Sequence, residues 1–375
     1  MIRRPPRSTQ GVSSAASDVY KRQNYSWSQN KSPNIILMIG DGMGLTQISS
    51  GMYANGNSTA LEEFQYIGLS KTNSSNSLVT DSAASGTAMA TGVKTLNKVL
   101  GIDSKNVSKK SILEICQDKG YRTGLIATSS IVHATPASFY AKEISRYNYE
   151  NIAFQFSNHS VDLFVGGGSK YFTARKDKKN LLKEMLDYDL VRSIREFEKS
   201  NASKIGFFTY FDEPPSIING RSPNLDRITT IAINKLSSKD SPFFIMIEGS
   251  QIDWGGHGND SNMVISEFKD FNSAIKVALE FAKSDKNTLV VVTADHETGG
   301  LLIEPLKPTA YTAPEVKFSY NTGIGYGSHT GVPVPVYAYG PGSENFTGTM
   351  DNTDIYRAMI AALDLSEESG SCVEN

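Results

Sequence analysis

Three acidic residues, each placed directly after an apolar run, constrain the fold of this chain more than any other feature. Asp41, Glu248 and Asp295 each follow four or five apolar residues with at most two small residues between. Continuous apolar runs of this length are typical of central strands that are covered on both faces. Ligands of open α/β sheets bind outside the carboxyl ends of the strands. We therefore expect the three acids to lie near one site.

Helical patterns between these runs predict the rest of the architecture. Lys109–Lys119 is amphipathic, and a long helix is predicted over Ser261–Lys283. The charge-rich segment Lys176–Lys199 is also predicted to be helical, Phe64–Thr72 to be an edge strand, and residues 301–327 to be irregular. The alternation predicts an α/β fold with a central, mostly parallel sheet flanked by helices on both faces.

Composition excludes several classes of protein. The 375 residues are 39% apolar and 20% charged, enough for one large domain or two smaller ones. The net charge of −2 implies no strong attraction to nucleic acid or to an anionic membrane. The sequence contains no run of eighteen apolar residues, so it predicts no transmembrane helix. Cys116 and Cys372 allow one disulfide at most, and whether they pair stays open.

The first 23 residues differ from the remainder. Met1–Thr9 is basic and lacks the apolar segment of a secretory signal, and residues 13–23 resemble translated sequencing-adapter read-through. We expect residues 1–23 to be an artefactual or disordered segment and residues 24–375 to form the folded domain.

An Asp-Ser pair marks a candidate nucleophile. Leu78–Thr80 is predicted as the end of a strand, and the small residues from Ser82 to Gly92 predict a helix that begins at Ser82. The N-terminus of a helix offers free N–H groups and a positive dipole, which favour an anionic group beside an oxygen nucleophile. The structural alternative is that Asp81 or Ser82 only caps the helix.

A second polar segment follows the strand predicted over Tyr121–Thr128. His133 and Thr135 are two residues apart at the strand exit, and Pro136 suits the first turn of a helix. Arg146 is expected near the end of that helix, as an ordinary C-terminal charge or as a phosphate-binding fork.

Histidines accompany the acids at the strand ends. A predicted glycine loop after Glu248 carries Asp253 and His257, His296 follows Asp295, and His329 stands in a later loop. A lone histidine is usually structural, but repeated acid–histidine pairs at strand exits favour a metal site. Imidazole with carboxylate suits zinc, whereas an all-oxygen set suits magnesium.

Together these motifs resemble the alkaline phosphatase family. The resemblance runs from Asn34 to Leu363, and its motifs occur in the family's order. They are Gly40–Gly44, Val79–Ala88, His133–Ala137 with Arg146, Glu248–Asp253 with His257, Thr293–His296, and His329–Gly331.

The resemblance implies hydrolysis of phosphate monoesters to an alcohol and inorganic phosphate through a phosphoserine intermediate, with two zinc ions and one magnesium ion. Ser82 would be the nucleophile, and Arg146 would bind two phosphate oxygens. Metal ligands are implied as three sets: Asp41, Asp295 and His296 for the zinc beside Ser82; Asp253, His257 and His329 for the second zinc; and Asp41, Thr135 and Glu248 for magnesium. His133, Trp254 and Asp81 would surround these groups.

Two residues differ from those of some family members. His133 stands where some members have Asp, and Trp254 stands where some have Lys, which predicts altered magnesium binding and weaker binding of product phosphate. Residues 301–327 replace a larger insertion that often builds a dimer crown. The resemblance thus implies a single domain with a short crown insertion, allows a homodimer, and implies a periplasmic or secreted protein.

Three alternatives remain beside a phosphomonoesterase. Sulfatases of the superfamily need a Cys/Ser-x-Pro-x-Arg pattern, which Ser82–Gly86 lacks. Phosphodiesterase relatives usually have Thr as nucleophile and no equivalent of Arg146. A non-catalytic phosphate binder would be expected to have lost a ligand or the nucleophile, and none is missing. Broad monoester specificity is the default expectation.

Overall fold

A ten-stranded sheet has the three apolar runs at its centre. The computed structural model describes residues 32–306, 316–323 and 326–368. Within these residues the strands, numbered in chain order, are β1 (Asn34–Gly40), β2 (Tyr66–Lys71), β3 (Arg122–Ser130), β4 (Leu163–Gly167), β5 (Asp189–Val191), β6 (Ile205–Phe208), β7 (Phe243–Gly249), β8 (Thr288–Thr293), β9 (Glu297–Thr298), β10 (Leu301–Pro305), β11 (Val316–Tyr320), β12 (His329–Thr330), β13 (Val334–Tyr339) and β14 (Gly348–Asp351).

The order of strands in the large sheet is β14-β2-β13-β8-β1-β7-β3-β4-β6-β5. Of its described strands, β13 alone runs antiparallel to both of its neighbours. The central strands are parallel and in close register, with Ile39 beside Glu248 on β7 and beside Thr293 on β8. Their carboxyl ends, and the acids that follow them, therefore meet at one edge of the sheet.

Helices cover both faces, as predicted. In the described residues they are α1 (Leu45–Ala54), α2 (Ser82–Thr91), α3 (Ile112–Asp118), α4 (Ala134–Ala137), α5 (Tyr149–Ser157), α6 (Lys170–Thr173), α7 (Ile194–Lys199), α8 (Leu225–Ser237), α9 (Gln251–His257), α10 (Ser261–Asp285) and α11 (Asn352–Glu368).

Alternate residues of β1 show how the two layers form. Leu37 packs in a core that also contains residues of α2, α3, α5 and α11, whereas Met38 packs in the opposite core with residues of α1, α8 and α10. Side chains of successive strand residues point to opposite faces, so a continuous apolar run fills both cores. No helix in the described part of the chain is both long enough and apolar enough to cross a bilayer.

Four predicted elements are wrong in detail. Lys176–Lys199 is not one helix, because it contains β5, which pairs with β6, and only α7 at its end is α-helical. Leu78–Thr80 forms no strand, and the Leu78 side chain is 83% exposed. The strand within Phe64–Thr72 is not at the edge, because β14 pairs with it on its outer side. Residues 301–327 are not wholly irregular, because β10 and β11 form an antiparallel pair.

Other expectations fall on residues outside the described ranges. The N-terminal segment 1–23 and Cys372 lie there, so the segment's nature and the pairing of Cys372 stay predictions. Cys116 itself is buried in α3. The domain boundary at residue 24 is likewise a prediction.

Candidate active site and metal centre

The predicted nucleophile stands at the first residue of α2. Ser82 is only 2% exposed, and its Oγ lies 3.4 Å from His296 Nε2. Asp81 is the N-cap of the helix, and its Oδ1 accepts the Ala84 N–H at 3.1 Å. The capping role therefore belongs to Asp81, which leaves the Ser82 hydroxyl directed at the site.

The acids at the ends of β1 and β8 form one cluster with His296. His296 Nε2 lies 3.2 Å from Asp295 Oδ2 and 3.6 Å from Asp41 Oδ1, and all three side chains are fully buried. Asp295 and His296 converge because the chain turns just beyond β8, where Asp295 Oδ1 accepts the N–H groups of His296 and Gly42. The structure thus brings together the set predicted for the first zinc.

A second cluster joins α9 to β12. The predicted glycine loop is in fact a helix, which places Asp253 and His257 one turn apart on the same face, with Asp253 Oδ2 3.3 Å from His257 Nε2. His329 Nε2 lies 3.2 Å from His257 Nε2. Backbone carbonyls of Gly327 and Thr80 lie at 2.6 and 2.8 Å from Nδ1 of His257 and His329. Nδ1 therefore donates in both rings, and Nε2 is left as a metal ligand.

A third cluster lies where β3, β1 and β7 end. Ligand atoms of Asp41, His133 and Glu248 lie within 4.8 Å of one another. Both carboxylates and Thr135 Oγ1 are buried, and none of their oxygens has a hydrogen-bond partner in the described part of the structure. Buried oxygens without partners are costly unless a cation binds them, so this donor set fits a bound metal ion. Compared with the prediction, His133 joins the set.

Burial of so many acids disfavours their ionised forms. Burial, together with Asp295, Asp253 and Glu248, raises the pKa of Asp41 well above its usual range. Burial raises the pKa of Glu248 to about 8. A cation at the site would reverse both shifts, because metal ligands bind in their deprotonated form.

The pKa values of His133, His296 and His329 are shifted in different directions. Burial and the positive Arg146 lower the pKa of His133 to about 3, so its ring is neutral. Burial also opposes a charge on His296, but Asp295 outweighs it and raises the pKa of His296. Burial and the neighbouring His296 lower the pKa of His329 to about 4.

Arg146 lies in the site but not on a helix. Helix α4 ends at Ala137, and Arg146 stands in the loop that follows, where its N–H donates to Lys98 O at 2.8 Å. Its Nη1 donates to Asp81 Oδ2 at 3.1 Å, and its Nη2 lies 3.4 Å from His133 Nε2. Asp81 thus holds a guanidinium beside the nucleophile. The Trp254 ring meets the His133 ring edge to face at 6.1 Å.

Sequence reasoning missed three buried polar residues behind the candidate metal ligands. Ser85 Oγ donates to Asp295 O at 2.8 Å. Glu297 accepts from Gln47 Nε2 at 2.7 Å and from Thr330 Oγ1 at 2.5 Å. Thr298 contacts Asp253 in one acid–histidine cluster and His296 in the other. The available signal was their position: each lies one to three residues from a predicted site residue.

Comparisons with known proteins agree with this geometry. The family model described as alkaline phosphatase matches residues 32–315 and 306–365. The chain is 36% identical to alkaline phosphatase 3 of Bacillus subtilis over 417 residues, which cover 89% of this chain and 90% of the relative. It is 42% identical to the solved alkaline phosphatase of the Antarctic bacterium TAB5, with a TM-score of 0.83 and coverage of 89% and 99% of the two chains. A variant of the TAB5 enzyme with one histidine replaced by glutamate, described with magnesium in its M3 site, matches equally.

Proposed function

The chain belongs to the alkaline phosphatase family, whose activity is phosphomonoester hydrolysis, and we propose that it performs this reaction through a phosphoserine intermediate at Ser82. The observation that carries the proposal is a buried serine hydroxyl at a helix N-terminus, 3.4 Å from a histidine of an acid–histidine cluster.

The covalent step uses the Ser82 oxygen. Ser82 Oγ loses its proton and forms a bond to phosphorus while the ester P–O bond breaks, and the leaving oxygen takes up a proton and departs as the alcohol. Water then attacks the phosphoserine, which releases inorganic phosphate and restores the serine. The first N–H groups of α2 and its dipole favour the negative charge of the bound phosphoryl group.

Arg146 positions the phosphoryl group. A guanidinium can bind two oxygens of one phosphate with parallel hydrogen bonds, which an ammonium cannot. Because Asp81 holds Nη1 at 3.1 Å, the guanidinium is oriented before the substrate arrives. In a phosphate diester, a second ester group would replace one of the charged oxygens that Arg146 binds. The proposed site therefore favours monoesters.

We propose two zinc ions and one magnesium ion as cofactors. The zinc ligands are Asp41, Asp295 and His296 in one site and Asp253, His257 and His329 in the other, and Asp41, Thr135 and Glu248 would hold magnesium beside His133. When bound, these ions would supply positive charge that lowers the pKa of the nucleophile and stabilises the leaving oxygen.

We also propose a homodimer and export from the cytoplasm. Apolar side chains of Leu78, Val79 and Val332 are exposed near the turn before α2, where Gly331 lies against Leu78 and Val79. Sedimentation of the wild type and of Leu78→Asp tests the dimer.

The family resemblance supports export from the cytoplasm. Fractionation of the native host tests periplasmic or secreted localisation.

Hydrolysis of p-nitrophenyl phosphate between pH 7 and 10 tests the proposed activity. We expect EDTA to abolish turnover, Zn²⁺ with Mg²⁺ to restore it, and Ser82→Ala to lower kcat about 10³-fold or more. Ser273→Ala, which changes an exposed serine on α10, is the control. A folded, metal-loaded wild type without turnover would contradict the proposal. Turnover of bis(p-nitrophenyl) phosphate would then support a phosphodiesterase, and phosphate binding alone would support a binder.

A further inference from the structure

Thr298 is a fully buried residue that contacts both zinc clusters without belonging to either ligand set. Its Oγ1 lies 2.5 Å from Asp253 Oδ1, in the α9 cluster, and 3.2 Å from His296 Nδ1, in the cluster beside Ser82. It is 0% exposed and lies on the short strand β9. The reaction proposed above assigns no role to the Thr298 hydroxyl.

The hydroxyl can satisfy both contacts in one way only. A threonine hydroxyl has a single hydrogen, and the Asp253 carboxylate only accepts, so Oγ1 donates to Asp253. The remaining contact requires Oγ1 to accept a hydrogen from His296 Nδ1. His296 must then be protonated at Nδ1, which leaves Nε2 to face Asp41, Asp295 and Ser82.

Thr298 also contacts the backbone of Gly42, directly after Asp41. The Thr298 N–H donates to Gly42 O at 3.3 Å. Gly42 has a φ of +70°, and a β-carbon there would stand 2.7 Å from Thr298 Oγ1. Thr298 therefore contacts Asp253 of one proposed zinc site and His296 of the other. It also contacts Gly42, which follows the ligand Asp41.

We propose that Thr298 is a positioning residue that couples the two zinc sites. Its one hydroxyl orients Asp253 and fixes the tautomer of His296, so its removal weakens metal binding at both sites. Hydrogen-bond partners of metal ligands are typically worth 10–100-fold in metal affinity. The proposal rests on the two-zinc centre proposed above.

Zinc titration of the metal-free protein against a chromogenic chelator tests the coupling. We expect Thr298→Val to weaken both of the two tightest sites by about 10–100-fold, and Thr298→Ser, which keeps the hydroxyl, to stay within about threefold of the wild type. Thr123→Val is the matched control, because Thr123 is a buried threonine that donates to the Asp162 carboxylate far from the site. We expect it to leave zinc affinity unchanged.

The outcomes separate this proposal from the proposed function. A wild type that fails to bind two zinc ions contradicts the metal centre itself. A wild type that binds two, with Thr298→Val weakening one site or neither, overturns the coupling, and so does an equal loss in Thr298→Ser.

A second measurement does not depend on the folding of a variant. Long-range ¹⁵N–¹H spectra of the histidine-labelled, zinc-loaded wild type report which ring nitrogen carries the proton. We expect His296 to carry it on Nδ1 and to bind zinc through Nε2. Zinc bound through Nδ1 of His296 would overturn the proposal.

Discussion

At the residue scale, we expect the side chain at position 254 to affect the charge around a phosphate bound at the proposed site. Trp254 is neutral and packs beside His133. A lysine there would add a positive charge near the phosphate oxygens. One partly screened ion pair is worth roughly 1 kcal/mol, so we expect Trp254→Lys to lower the inhibition constant of phosphate about fivefold. Competitive inhibition of p-nitrophenyl phosphate hydrolysis measures it. Trp254→Phe is the neutral control, and no tightening in Trp254→Lys would contradict the expectation.

We also expect one residue, His133, to decide which metal ion the third cluster prefers. The ring of His133 is neutral because burial and Arg146 lower its pKa to about 3. Imidazole nitrogen is a poor ligand for magnesium, which prefers oxygen. We expect His133→Asp to bind Mg²⁺ at least about tenfold more tightly, as measured by Mg²⁺-dependent protection against thermal unfolding. His133→Asn supplies an oxygen without the charge and should gain less. Equal affinity in all three proteins would contradict this account.

At the scale of elements, Asp81 links the start of α2 to Arg146, the residue proposed to bind phosphate. One carboxylate oxygen caps the helix at Ala84 and also accepts the Lys98 N–H, while the other accepts from Arg146. We expect Asp81→Ala to lower the free energy of unfolding by about 1–2 kcal/mol, since the cap is lost. Asp81→Asn keeps a capping oxygen and should be nearly as stable as the wild type, measured by urea unfolding of the metal-free proteins.

The same pair of variants separates the cap from the orientation of Arg146. In Asp81→Asn the guanidinium loses its charged partner although the helix is retained. We therefore expect the KM of p-nitrophenyl phosphate to rise in Asp81→Asn as much as in Asp81→Ala. A KM that follows stability instead, unchanged in the asparagine variant, would show that Asp81 acts only as a cap.

The elements that the sequence predicted best are the strands that are buried on both faces of the sheet. β1, β7 and β8 are apolar on both faces, so their sequences alone identify them, and the helix start at Ser82 follows from small residues after an acid. The helix predicted over Lys176–Lys199 was wrong. Its charged residues suit a solvent-facing helix, but pairing with β6 makes part of the segment, β5, a strand. Thr298 was missed because its partner Asp253 lies 45 residues away in sequence. Contacts of this kind become visible only once the strands are assembled.

At the scale of the whole molecule, the parallel strands bring the candidate site residues to one edge of the sheet. Some acidic residues elsewhere are partly buried and affect stability without belonging to the site. Glu213 is one of these. Its Oε2 accepts the Ser130 N–H at 2.6 Å. Burial raises the pKa of Glu213 to about 7; the hydrogen bond from Ser130 and the charge of Lys170 oppose the rise, and Asp212 adds to it. The residue lies in the loop after β6, outside the three clusters of candidate metal ligands.

A raised carboxyl pKa lowers stability as pH rises. The folded protein keeps the Glu213 proton up to about pH 7, whereas the unfolded chain releases it near 4.5, so the folded state is destabilised progressively across that window. The full shift corresponds to about 3 kcal/mol, which partial exposure reduces to about 1–2 kcal/mol.

Glu213→Gln removes this titration and keeps an oxygen for the Ser130 N–H. We expect the metal-free variant to match the wild type at pH 4.5 and to be more stable by about 1–2 kcal/mol at pH 8, as measured by urea unfolding with EDTA present. Glu184→Gln, at an exposed position, should show no gain that grows with pH. Because the proteins contain no metal in this measurement, protonation of the metal ligands affects all three alike, and the difference between them isolates Glu213. A constant difference at both pH values would mean that Glu213 ionises normally in the folded protein.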